Sequence, residues 1–303
     1  MGAATPIRFV AGSRELFAVP RKLVTVRHSL EDLVAGASRA LPDLAAEADG
    51  YRVLSAPLET AEALIADNPD MIPGGFQRYR RHYIAMDGGF DAYMAGFSSK
   101  TRSTLRRKQR KFAEAAEGTL DLREYRGARG FDEFLAAALP LSRETYQGRL
   151  LDAGLPEALE AQAALREAAA DDRLRAFILW LDGKPASYLC LPVEGETLVY
   201  AWLGYAPALS HLSPGTVLQL AALETLYAER RFRFFDFTEG EGAHKALFGT
   251  ASVEAASFFL LRGRAANRLL VGALAAFDGS VAAARRIAEG SGALAGARRM
   301  LRG

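Results

Sequence analysis

The stretch from residue 174 to residue 205 leaves little choice of architecture. Residues 174–181, 185–193 and 197–205 each read as a strand, and the links Asp182-Gly183 and Glu194-Gly195 leave room only for tight turns. Three strands joined this way fold back on one another antiparallel. The period then changes. Ser213-Pro214-Gly215-Thr216 opens a helix that runs to about Glu229, and residues 232–237 form an apolar strand interrupted only by Asp236. The loop Thr238-Glu239-Gly240-Glu241-Gly242 leads into a short helix through Phe248, and residues 253–261 are a last strand. Turn-linked strands followed by strands alternating with helices predict an α/β layered sheet with mixed strand directions.

The preceding residues fit the same class. Strands are expected at 23–26, 51–54, 76–86 and 119–125, with turns at Asn68-Pro69-Asp70 and Pro73-Gly74-Gly75. Helices are expected at 30–41, at 90–116 with Gly118 beyond its end, and near 130–147 and 156–170. A core can form within 119–262, whereas the first ninety residues are too few for a second complete copy. The expected division is therefore a reduced domain at 1–90, a main domain at 91–262 and a basic tail at 263–303.

Charge is unevenly placed. The formal net charge is +2. The tail carries Arg264, Arg268, Arg285, Arg286, Arg298, Arg299 and Arg302 against Asp278 and Glu289, and residues 100–111 hold seven cations and no acid. What remains has 24 cations against 34 acids, so two basic features sit on an acidic body and point to anionic partners. The lone Cys190 excludes an intrachain disulfide, and His28, His82, His211 and His244 lack metal-ligand spacing. No apolar run approaches the roughly 20 residues of a membrane span, and the first 28 residues lack the layout of a secretory leader, so a cytoplasmic location is expected. In the tail, Leu269, Leu270, Val271, Leu274 and Phe277 beside the arginines suit a helix lying on an anionic membrane at its inner face; docking on the body explains them as well.

Two local features suit a phosphorylated ligand. Ser213 is a preferred N-cap and Pro214 a preferred first helical residue, so the free amides and positive dipole end there can hold a diphosphate, Gly215 allowing close approach. An ordinary capped helix is the plainer reading. Arg102, Arg106 and Arg110 share one face of the basic helix, opposite Leu105 and Phe112; phosphate binding and a solvated face both fit, while nucleic acid is disfavoured by the acidic remainder.

Three strings resemble the GNAT superfamily, and within it the cellulose-biosynthesis-like and Fem-type branch. They are Ser99-Lys100-Thr101-Arg102 with its basic continuation, Leu212-Ser213-Pro214-Gly215, and Asp236-Phe237 followed by Lys245 and Phe248. The resemblance implies a GNAT-like mixed sheet flanked by helices, with a reduced second GNAT-like domain at the N-terminus. It also implies an acyl-CoA or acetyl-CoA donor, held at Leu212, Ser213, Pro214, Gly215 and Thr216 beside a splayed strand containing Tyr200, Trp202 and Leu203. Thr238-Glu239 and His244 depart from the usual glycine-rich and aromatic positions.

N-acylation of an amine needs a proton acceptor and a group to protonate the leaving thiolate. Asp236, Glu239, Glu241 and His244 cluster where open sheets place ligands and are the candidate catalytic residues, His244 as a neutral base, with Asp236, between Phe235 and Phe237, equally suited to hold loop backbone N–H groups. Arg102, Arg106, Tyr146, Tyr205 and Lys245 are candidates for substrate contact, with Lys245–Glu241 pairing as the alternative for the lysine. Three functions remain open: acyl transfer to a lipid (sphingoid-type), polysaccharide or small amine; Fem-type transfer from aminoacyl-tRNA to a cell-wall precursor; and a non-catalytic binding module.

Overall fold

The computed structural model describes residues 4–11, 14–145, 154–240 and 242–290. The chain divides into two compact units, Met1–Arg80 with Val253–Gly303, and Arg81–Ser252. This division differs from the expected boundaries at 90 and 262, because the last strand pairs with an N-terminal one.

The first unit begins with β1 (Ala4–Ala11) and β2 (Arg14–Arg27), an antiparallel pair. α1 (Leu30–Ala35) carries a capping box, Ser29 Oγ accepting the Asp32 N–H while Asp32 accepts the Ser29 N–H. It stops well short of the expected residue 41, because Gly36 turns left-handed at φ 63°. β3 (Gly50–Pro57) lies parallel to β2, and α2 (Leu58–Ala66) leads to β4 (Met71–Ala85), whose last residues belong to the second unit. The turn expected at Pro73-Gly74-Gly75 lies inside β4; Gly75 absorbs the irregularity with φ +59°, where a Cβ would strike the Phe259 ring.

The second unit continues with α3 (Phe90–Ala95) and α4 (Ser99–Ala115). The single helix expected over 90–116 is broken because Ser98 caps α4, its Oγ accepting the Thr101 N–H at 3.2 Å. Then come β5 (Asp121–Tyr125), α5 (Gly127–Glu144), α6 (Leu159–Ala170), β6 (Leu174–Leu181), β7 (Lys184–Glu194), β8 (Thr197–Val199) and β9 (Trp202–Tyr205). A 3-10 turn (Pro207–Leu212) precedes α7 (Pro214–Glu229), β10 (Phe234–Asp236) and α8 (Ala243–Phe248). β11 (Ala251–Arg262) returns the chain to the first unit, antiparallel to β3, and α9 (Ala265–Gly290) follows.

Strands of the second unit run in the order β4-β10-β8-β7-β6-β5, with β9 also on β7. Only β8 and β10 are parallel there, joined by the helical crossover through α7. Period-two burial gives the sheet two covered faces. Phe177, Leu179, Leu189 and Leu191 pack with Leu105 and Phe112 of α4 and with the α7 side chains, whereas Ala176, Ile178, Tyr188 and Cys190 face Phe131 and Phe134 of α5. Cys190 is thus core filler, fully buried, its thiol pushed up by that burial.

In α9, Leu270 and Leu274 are buried with Ile7, Phe9, Leu23 and Leu261, and Val271 and Phe277 pack on them; Leu269 remains exposed. Most of the apolar residues read as membrane-seeking therefore complete a core instead. No described helix is long and apolar enough to cross a membrane.

Candidate active site

The expected strand over 197–205 is two strands. β8 pairs with β7 through Leu198↔Val193, and β9 pairs with β7 through Trp202↔Cys190. Between these pairs Leu191 and Pro192 of β7 stand opposite three residues, Val199, Tyr200 and Ala201. That is a β-bulge, and it falls where Pro192 has no N–H to give to a ladder. On the other side, β8 stays with β10 as far as Val199↔Asp236, after which Tyr200 N–H reaches the Asp236 carbonyl at 2.9 Å. Beyond that point the strands separate. β9 continues along β7, while Phe237 N–H turns to the His82 carbonyl.

A cleft of about 610 Å³ fills this gap. Tyr200, Ala201, Leu203 and Tyr205 line it from one strand, Phe237 and Thr238 from the other, Ser213–Thr216 from the start of α7, and Gly242–Lys245 from α8. Trp202 packs on the α5 face of the sheet and Leu212 lies in the core, so neither expected donor contact lines the cleft. The alternation of a strand accounts for Trp202, which points opposite to Leu203.

The helix mouth differs from expectation. Ser213 is left-handed (φ 55°, ψ 47°) and its side chain caps nothing, because it must turn the chain out of the 3-10 turn. Its carbonyl accepts the Thr216 and Val217 N–H groups at 3.1 and 3.2 Å. Pro214 has no N–H, so of the first-turn amides at most that of Gly215 is left for a ligand. Gly215 also has a packing reason. A Cβ there would come within 3.1 Å of Leu203 and 3.5 Å of Tyr205, so the glycine lets α7 approach β9.

His244 is the expected catalytic residue best placed. Its ring lies 4.7 Å from that of Phe248 and 6.1 Å from those of Tyr200 and Phe237, and its Nε2 is 2.7 Å from Gln219 Oε1. Surrounding protein, then Lys108 and Lys245, hold its pKa below the ordinary imidazole value, so the ring is neutral at neutral pH. Lys245 donates to the Glu239 carbonyl at 2.6 Å, and burial pulls its ammonium below the usual range against the opposing pull of Asp236 and Glu239. Burial likewise raises the Tyr200 phenol.

Asp236 is not placed to exchange protons with a substrate. It is fully buried, bonded by both oxygens to the Arg81 guanidinium, and its Oδ1 also accepts the Thr238 N–H at 2.8 Å. Its position organises the loop, which suits a carboxylate two residues before a left-handed Thr238 (φ 63°). Glu239 is half-buried and does not line the cleft. Glu241 and Tyr146 lie outside the described residues.

Arg102 and Arg106 are separated from this group. Arg102 donates to the Ala95 carbonyl at 2.8 Å and to that of Phe97, closing the end of α3. With Arg106 and Arg110 it lines a second, shallower groove along α4. None of the seven cations of α4 is ion-paired among the described residues, whereas Arg123, Arg126, Arg129, Arg143, Arg166 and Arg173 each hold a carboxylate. The helix also borders the cleft, since Lys108 bears on His244 and Lys111 donates to the His211 carbonyl at 3.0 Å.

Sequence reasoning missed Gln219 and Arg81. Gln219 is fully buried and its amide nitrogen has no described partner. Its signal is a single amide inside the apolar run Val217-Leu218-Gln219-Leu220-Ala221. Arg81, 2% exposed, has no comparable mark. Among the described residues no group of three or more His, Cys, Asp or Glu is arranged to hold a metal.

Residues 99–246 match the family described as the acetyltransferase (GNAT) domain. No curated protein matches the chain by sequence. Among solved structures the fold is similar to FemX, at 11% identity over 88% of this chain and 90% of that one, with a TM-score of 0.54. It is also similar to the C-terminal domain of a protein described as a lysylphosphatidylglycerol synthetase from Agrobacterium fabrum, at 12% identity over 75% and 72% of the two chains, with a TM-score of 0.50.

Proposed function

We propose that this chain, whose residues 99–246 match the acetyltransferase (GNAT) domain family, is an acyltransferase that uses a coenzyme A thioester to acylate an amine. The observation that carries the reading is the parting of β9 from β10 over the start of α7, with His244 in the same cleft. An open strand edge offers main-chain groups to an extended amide-bearing arm, and the α7 mouth offers the Gly215 amide and a helix dipole to its diphosphate. The α4 cations supply the charge that so few free amides cannot, with Arg106 and Arg110 facing phosphate oxygens of donor or acceptor.

In this reading His244 accepts a proton from the attacking amine. The amine nitrogen bonds to the thioester carbon, the carbon–sulfur bond breaks, and the sulfur leaves with the electron pair and takes a proton from Tyr205. Solvent then resets both groups. Lys245 faces an acidic group of the acceptor, which is a lipid amine or an envelope polysaccharide amine. Titration calorimetry with acetyl- and palmitoyl-coenzyme A tests the donor: micromolar binding of one is expected, and absence of both overturns the reading.

One observation favours a second reading. The unpaired cations of α4 also suit the backbone of an aminoacyl-tRNA, the donor of a Fem-type transfer to a cell-wall precursor. Co-purifying RNA whose affinity falls steeply with salt is its expected signature.

A further inference from the structure

We infer that Gln219 is a positioning residue that fixes the tautomer of His244. The inference rests on the catalytic reading of His244. A buried amide is a costly choice in the middle of α7, where Val217, Leu218, Leu220, Ala222 and Leu223 are all buried and apolar. Gln219 leaves its Nε2 without a described partner and commits its Oε1 to His244 Nε2 at 2.7 Å. Stability alone would favour leucine or methionine at this position. What the glutamine supplies is direction.

An amide oxygen only accepts hydrogen bonds, so the facing imidazole nitrogen carries its proton. With Nε2–H held by Gln219, Nδ1 keeps the lone pair and is the atom that takes the proton from the amine. Once it has done so, Nε2–H still donates to Gln219, now from a cation, and that bond strengthens as charge develops. A neutral partner also matters before the reaction. Among the described residues, the groups around the ring are Lys108 from α4, Lys245 from α8, the Tyr200 phenol and the aromatic faces of Phe237 and Phe248. None of these is anionic at neutral pH, and an amide adds no negative charge, so the resting imidazole stays unprotonated. A carboxylate at 219 would form the same bond but would favour the imidazolium before any amine arrived.

Long-range proton–nitrogen NMR of His244 tests this without any substrate. Wild-type protein is expected to show the proton on Nε2 and the lone pair on Nδ1, with titration below that of a free histidine. Gln219→Leu should keep the fold, with a melting temperature equal to or above wild type, and show both tautomers. Gln219→Glu should restore the Nε2–H tautomer and raise the titration midpoint by about one pH unit or more. A proton on Nδ1 in the wild type, or identical titrations in all three proteins, overturns the assignment. If the tautomers behave as expected while neither acyl-coenzyme A binds, the donor reading fails and the role of Gln219 stands.

Discussion

Arg175 and Arg81 are both shut off from solvent in the larger unit, at 0% and 2% exposure, yet they hold different kinds of structure. Arg175 reaches two carboxylates. Its Nη1 bonds to Asp172 at 2.7 Å and its Nη2 to Glu229 at 2.9 Å, with the Phe232 ring 5.4 Å from the guanidinium carbon. Those partners tie the start of β6 to the end of α7. Arg81 instead grips Asp236 at the end of β10, and the same carboxylate fixes the first amide of the loop that leads to His244 and Lys245. One buried cation fastens elements whose relative position is all that matters. The other holds Asp236, a carboxylate one residue from the cleft-lining Phe237.

The sharpest test of that contrast removes one carboxylate from each. Asp236→Ala removes the buried carboxylate that holds both the Arg81 guanidinium and the Thr238 amide, which should cost about 3–5 kcal/mol of stability and disorganise the loop, abolishing donor binding. Glu229→Ala leaves Arg175 the partly exposed Asp172, so about 1–3 kcal/mol is expected with donor affinity unchanged. Urea denaturation and calorimetry measure the two quantities, and equal loss of binding in both variants would break the comparison. Within the cleft, His244→Ala should lower turnover by about 10²–10⁴-fold with little change in stability, as read by steady-state kinetics and thermal melts.

A smaller effect is expected from pH. His28 and His244 both titrate below the ordinary histidine value, burial being the first cause in each. The unfolded chain therefore binds more protons in the window between their folded values and about 6.5. Stability is present above that window and declines as pH falls through it, and the acid limb of the turnover profile should lie below 6.5 as well. Chemical denaturation at a series of pH values checks the first. The smallest effect on the fold should come from Arg106→Glu with Arg110→Glu. Both side chains are exposed and unpaired, so stability should change by less than about 0.5 kcal/mol while phosphate-dependent binding weakens and loses salt sensitivity.

How much of this was legible in the sequence depends on the range of the interaction responsible. The β6–β7 hairpin, the start of α7 and the short α8 followed from turn residues and periodicity, because the deciding contacts are local. The bulge opposite Pro192 did not, since it depends on which residues of another strand stand across from it. Ser213 has the composition of a cap and the backbone of a turn, because the chain must leave a 3-10 turn that only the folded unit requires. Asp236 was singled out both as a catalytic candidate and as a holder of loop amides, and its carboxylate does accept the Thr238 N–H; the guanidinium it grips was not foreseen. Its partner Arg81 lies 155 residues away, and nothing in the intervening chain announces the pairing.

The bulge after β8 also bears on how such a cleft can diversify. An unzipped strand presents carbonyls and amides, which almost every residue type carries alike, so the lining side chains can change while the open main-chain edge persists. What cannot drift freely is the count of residues between Val199 and Trp202. Deleting Ala201 would let β8 and β9 run along β7 in continuous register, removing the bulge while the aromatic and titratable side chains of the cleft are all retained.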